Sequence, residues 1–142
     1  MMPVKPVDGR FAVSTSGDQM VLEPKNFARY TPYVRIAQAI NAKKLVAVYS
    51  RFYPLFQEAY RQLGYPNGYF NDRLITCIDD LLAAPEPDGP IKLTQPKVLY
   101  EYADPDLEAR SAGQKIMIRM GRDNERKIKA KLREIRSALT SR

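Results

Sequence analysis

No histidine occurs anywhere in this chain. That absence removes the side chain that most often serves as a general base near neutral pH, and the commonest zinc ligand with it, so Ser-His-Asp and Cys-His catalysis are excluded. Cysteine occurs once, at Cys77, which rules out an intramolecular disulfide and leaves the fold to stand on packing. Long apolar runs are also missing: residues 45–50, from Leu45 to Ser50, fall far short of a bilayer-crossing helix. In residues 1–9, Pro3, Lys5 and Pro6 break up Met1, Met2 and Val4, so no apolar leader core forms and the segment reads as carrying no export signal. Neither Gly-x-x-x-x-Gly-Lys-Ser nor Gly-x-Gly-x-x-Gly is found, and no nucleotide cradle is expected. Cofactors and metals are not expected.

What is there fits one domain over residues 1–142, of a size that typically buries about two thirds of its unfolded surface. Hydrophobic residues make up 44%, as in ordinary globular proteins. The net charge of +7 is unevenly spread: residues 122–142 hold eight Lys or Arg against Asp123, Glu125 and Glu134. Basicity therefore belongs to one C-terminal segment, and nucleic acid is not a favoured partner.

Short apolar runs at residues 11–13 and 20–22 flank the turn formers Gly17 and Asp18, which predicts a small N-terminal β-hairpin. Residues 26–30 allow a helical turn, and Thr31 as N-cap with Pro32 behind it predicts a helix to Ile40. Asn41 caps the longest segment, where Leu45, Tyr49, Phe52, Phe56, Tyr60 and Leu63 keep one helical face. Pro54 removes an amide donor and crowds the Ser50 carbonyl, predicting a kink or two helices meeting at Tyr53. Gly64 is a stop and residues 65–68 a turn. Leu74, Ile75, Ile78, Leu81 and Leu82 mark a helix ended by Pro85. Residues 91–102 read as extended pieces or a strand with a helical turn. Asp104-Pro105 opens a helix to Met120, ended by Gly121, and Asp123 caps a last helix burying Ile128, Leu132, Ile135 and Leu139.

The runs RFYPLFQEAY over residues 51–60 and LGYPNGYFNDR over 63–73, with PVKPV at 3–7, QPKVLY at 95–100, SAGQK at 111–115 and KAKLRE at 129–134, resemble the uncharacterised bacterial family called domain of unknown function 3014. The resemblance spans nearly the whole chain and names no activity. It implies that the chain is the C-terminal part of a longer membrane-tethered protein, periplasmic or inner-membrane-associated in a Gram-negative cell.

Eight aromatic residues lie between Tyr49 and Phe70. Those on the helical stripe are expected in the core, whereas Tyr53, Tyr65 and Tyr69 lie off it and form a candidate partner surface. Cys77 is expected as a semi-buried filler. Glu58, Asp72, Asp79, Asp80, Glu101 and Asp104 are the acids available to a histidine-independent hydrolase or lyase, which needs two of them to converge. On the last helix the four apolar side chains fall within about 60°, while Arg126, Lys127, Lys129, Lys131, Arg133 and Arg136 spread over roughly 220° opposite. Such a face suits solvent, with an anionic surface or nucleic acid as alternatives. The expected architecture is mainly α: a compact bundle of five or six helices with the N-terminal hairpin. The expected role is a non-enzymatic, envelope-associated interaction or scaffolding domain with an unknown protein partner.

Overall fold

Seven helices and a four-stranded antiparallel sheet make up the described part of the computed structural model, namely residues 13–16, 19–22, 25–94 and 100–141. The class is mainly α, with the expected hairpin at the N-terminal end. Strands β1 (Val13–Ser16) and β2 (Gln19–Leu22) pair with Val13 opposite Leu22 and Ser16 opposite Gln19. Phe11 of the expected hairpin lies outside the described residues. The extended pieces expected in residues 91–102 are β3 (Lys92–Thr94) and β4 (Glu101–Tyr102), which complete the sheet in the order β1-β2-β3-β4. Leu22, Ile91, Leu93 and Tyr102 bury against Ile118. Burial pushes the Tyr102 phenol up to about 12, and its hydroxyl donates to the Lys115 carbonyl at 2.9 Å.

Helix α1 (Lys25–Ala39) begins six residues before the expected Thr31 cap and runs through Pro32. The Thr31 hydroxyl instead donates back to the Phe27 carbonyl at 3.2 Å. That same carbonyl accepts a hydrogen bond from the buried Asn124 amide at 2.8 Å, a tertiary support that local propensity does not contain. Helix α2 (Ala42–Arg51) is capped as expected, the Asn41 side chain accepting from the Lys44 amide at 3.0 Å. Phe52 then ends α2 and starts α3 (Tyr53–Gln62), with Pro54 in its first turn. Gly64 adopts φ +110 where the chain stops being helical, and the Gly68 amide closes a turn on the Tyr65 carbonyl. Helix α4 (Phe70–Leu82) follows.

The helix expected from Asp104 to Met120 is two helices, α5 (Pro105–Glu108) and α6 (Ala112–Arg119), which raises the count above the expected five or six. Each has its own cap. Asp104 accepts from the Asp106 amide at 2.9 Å and Ser111 from the Gln114 amide at 3.2 Å; Ser111 followed by Gln114 is the sequence pattern of a helix start. Helix α7 (Arg122–Thr140) is preceded by Gly121, not capped by Asp123, which sits in the first turn. Gly121 has φ +92, and a side chain there would meet the Phe27 ring at 2.5 Å. Only glycine suits both demands. Helices α1, α2, α4 and α6 all pack on α7.

Candidate binding groove

Three helices build a trough at the surface. Its floor is α7, through Leu132, Ile135 and Leu139; one wall is α2, through Leu45, Val48, Tyr49 and Phe52; the other is α4, through Leu74, Cys77 and Leu81. At the bottom, Val46, Ile78 and Leu139 form a buried cluster, and Phe56 of α3 stands at one end. The trough's volume is about 490 Å³. Leu45 to Phe52, Leu74 to Leu81 and Leu132 to Leu139 each cover the same seven-residue step, so every wall presents two helical turns, about 10 Å.

The geometry corrects the expectation that the stripe is core: Tyr49 and Tyr60 are half-buried, but its other four positions are open to solvent. Leu45 is 43% exposed, Phe52 48%, Phe56 43% and Leu63 76%. The buried residues of α2 are Ala42, at the edge of the stripe, and Val46, one position off it. Residues 45–49 are all apolar, so α2 offers two usable faces: one goes onto α7 and the other opens to solvent. Cys77 is also corrected, being exposed on the α4 wall.

The α4 wall is held in place by side chains of α3. Tyr69 at the α4 N-terminus makes no capping bond. The buried Gln57 does the work: its Oε1 accepts from the Phe70 amide at 2.8 Å and from the Tyr53 hydroxyl at 2.9 Å, and its Nε2 donates to the Gly68 carbonyl at 2.8 Å. The Tyr53 oxygen accepts from the Asn71 amide at 3.3 Å, and Tyr49 donates to the Asn71 side chain at 3.0 Å. Two orphan amides of α4 are thus satisfied from another helix. Tyr49, Phe56 and Phe70 pack beside this clamp, with Phe56 and Phe70 stacked at 5.6 Å.

The clamp and, Leu139 apart, the trough lie inside residues 1–136, which match the family described as protein of unknown function DUF3014. The chain belongs to that family. No curated protein and no solved structure matches it.

The three tyrosines singled out by sequence do not share one surface in this DUF3014 chain. Tyr53 is half-buried, with its hydroxyl committed to the clamp. Tyr65 stacks on Tyr60 at 4.6 Å. Tyr69, 62% exposed, joins Tyr53, Tyr49, Asn71, Asp72 and Leu139 around a second depression of about 290 Å³. Of the six cations on α7 singled out by sequence, four are engaged. Arg126 pairs with Glu86 at 2.7 Å, Arg136 with Asp79 at 2.6 Å and Lys131 with Glu134 at 2.9 Å. Lys129 is buried, donating to the Ala84 carbonyl and pairing with Glu86 at 2.8 Å. Lys127 and Arg133 are exposed without an ion-pair partner among the described residues.

The candidate acids are dispersed. Asp79 goes to Arg136, which holds its carboxyl below the usual range; Asp80 accepts from Ser111; Glu58 meets Arg61; Asp104 caps α5. The two carboxylates that do converge are Glu86 and Glu125, both on Lys129, the second at 3.3 Å. Glu125 is fully buried, and its oxygens have no hydrogen-bond donor among the described residues. Burial pushes it up to about 7, against the pull of Lys129. Glu86, accepting from Lys129 and Arg126, is held down at about 2. Sequence reading missed Gln57, Glu125 and Glu86. Only the i, i+4 spacing of Glu125 and Lys129 was available as a signal.

Proposed function

We propose that this domain is a non-enzymatic interaction module of the cell envelope, which docks the apolar face of an amphipathic helix from a partner protein in the trough between α2 and α4. The observation that carries the reading is an exposed depression walled by aliphatic and aromatic side chains for two turns on each of three helices. Contiguous apolar surface of this kind marks a binding site more often than chance exposure does. A pocket for a polar small molecule carries a few convergent polar groups, whereas among these lining side chains only the Tyr49 hydroxyl and the Cys77 thiol are polar. A bundle closes such a three-helix trough with one more helix, and two turns accommodate anchors at i, i+3 or i+4, and i+7. The envelope setting, with the domain as the C-terminal part of a tethered protein, rests on the likeness to membrane-tethered relatives.

The test uses the intact chain and a helix-stapled peptide of about three turns with leucines at i, i+4 and i+7. Peptide anisotropy should rise saturably, and alkylation of Cys77 by iodoacetamide should slow as the trough fills. Val48→Glu should abolish both effects while leaving the thermal midpoint in place, because Val48 is 55% exposed. Equal binding of a scrambled peptide would overturn the reading. So would Cys77 protection that follows protein concentration alone, which indicates self-association, or protection by oleate but not by peptide.

A further inference from the structure

The trough does not end in solvent on all sides. Tyr49 and Leu139 line both the trough and the smaller depression at the α4 N-terminus, so the two adjoin. Their chemistry differs. The smaller one is framed by the rings of Tyr49, Tyr53 and Tyr69, with Asn71 and the exposed Asp72 carboxylate at its edge. Asn71 engages both Tyr49 and Tyr53, through its side chain and its amide respectively, which fixes how those rings present themselves. Asp72, in the first turn of α4, has no ion-pair partner among the described residues, in a chain of net charge +7.

From this arrangement, and resting on the trough as a helix-docking site, we infer that the tyrosine-lined depression takes a cationic side chain, guanidinium or ammonium, from the docked partner helix. Aromatic faces present negative potential, and a carboxylate beside them adds full charge of the same sign. An anionic side chain would be repelled by Asp72. A plain aliphatic one would cover Asn71 and Asp72 without replacing their water, an uncompensated desolvation. The partner is thus a basic amphipathic helix: two turns of apolar anchors with an Arg or Lys about one turn beyond. An apolar stripe alone does not satisfy the whole surface. The depression supplies a choice among amphipathic helices that the trough, lined almost wholly by carbon, cannot make.

The experiment compares stapled peptides with the same leucine anchors and Arg, citrulline or Glu one turn beyond the last anchor, each made with that residue at either end. Citrulline keeps the shape of Arg and removes its charge. In one orientation the Arg peptide should bind about tenfold tighter than the citrulline peptide, with Glu weaker still. The advantage of Arg over citrulline should shrink in both Asp72→Asn and Tyr69→Ala. Tyr69 is largely exposed, and unchanged circular dichroism checks that both variants fold. Equal affinities for the three peptides in both orientations would overturn the cation pocket and leave the trough standing. Failure of every peptide to bind would overturn both.

Discussion

Glu125 is a strained electrostatic position: a carboxylate with no exposed surface, one ammonium 3.3 Å away, and that ammonium shared with Glu86. The two acids respond to pH in opposite directions. Glu125 is raised from its ordinary 4.5 to about 7, so the folded state holds the proton more tightly than the unfolded one. Its contribution is therefore fully present below pH 4.5 and lost as the pH rises to about 7. Glu86 is lowered from 4.5 to about 2; its contribution is present above 4.5 and lost as the pH falls toward 2. With respect to this pair, stability should peak near pH 4.5 and decline on both sides. Denaturant midpoints across the acid and neutral range check this. Glu125→Gln should flatten the upper arm and leave the lower one, while a profile unchanged by that substitution would count against the assignment.

Among the elements, α4 depends on a neighbour for its start. Gln57→Ala removes three hydrogen bonds and leaves the Phe70 amide and Gly68 carbonyl without partners, so unfolding should become easier by about 3 kcal/mol. Hydrogen exchange should quicken first at the α4 N-terminus. The sequence announced many element boundaries through local chemistry: Asn41 as a cap, Pro54 as a break, Gly64 as a stop; it also announced the pairing of β1 with β2, though Gly17 and Asp18 lie outside the described residues. It also held a signal for the division of α5 from α6, since Ser111 and Gln114 are spaced as a helix start. The trough was not legible, because periodicity shows that a helix has an apolar face but not which of two faces is covered. On α2, five consecutive apolar residues leave that choice to α7. The Gln57 clamp and the Glu86-Lys129-Glu125 cluster were equally hidden, because each joins residues from different helices and loops through contacts that exist only after folding.

At the scale of the whole molecule, the charge that a sequence reading assigns to one basic helix is largely spent inside the fold. Arg126 and Lys129 tie α7 to the loop after α4 through Glu86, Arg122 pairs with Asp88 in the same loop, and Arg136 reaches Asp79. Of the six cations on α7 first considered as an anionic contact, Lys127 and Arg133 stand without ion-pair partners among the described residues. Duplex DNA should consequently bind weakly, with log K against log salt falling no more steeply than about −2. A slope several times larger, reduced by Lys127→Gln and Arg133→Gln, would restore the nucleic-acid alternative.

The equal seven-residue span of the two walls and the floor has a consequence for what a repetitive partner would do. Seven residues are one heptad, the period at which a coiled helix repeats its apolar seam. A partner carrying several heptads would offer the slot several equivalent registers, and its affinity would rise with their number by statistics alone, without a new contact. The register would then be set outside the seam, by the one repeat that places a cation against Tyr69 and Asp72. Recognition would be divided accordingly: the trough holds the helix, and the tyrosine pocket decides where along it to stop.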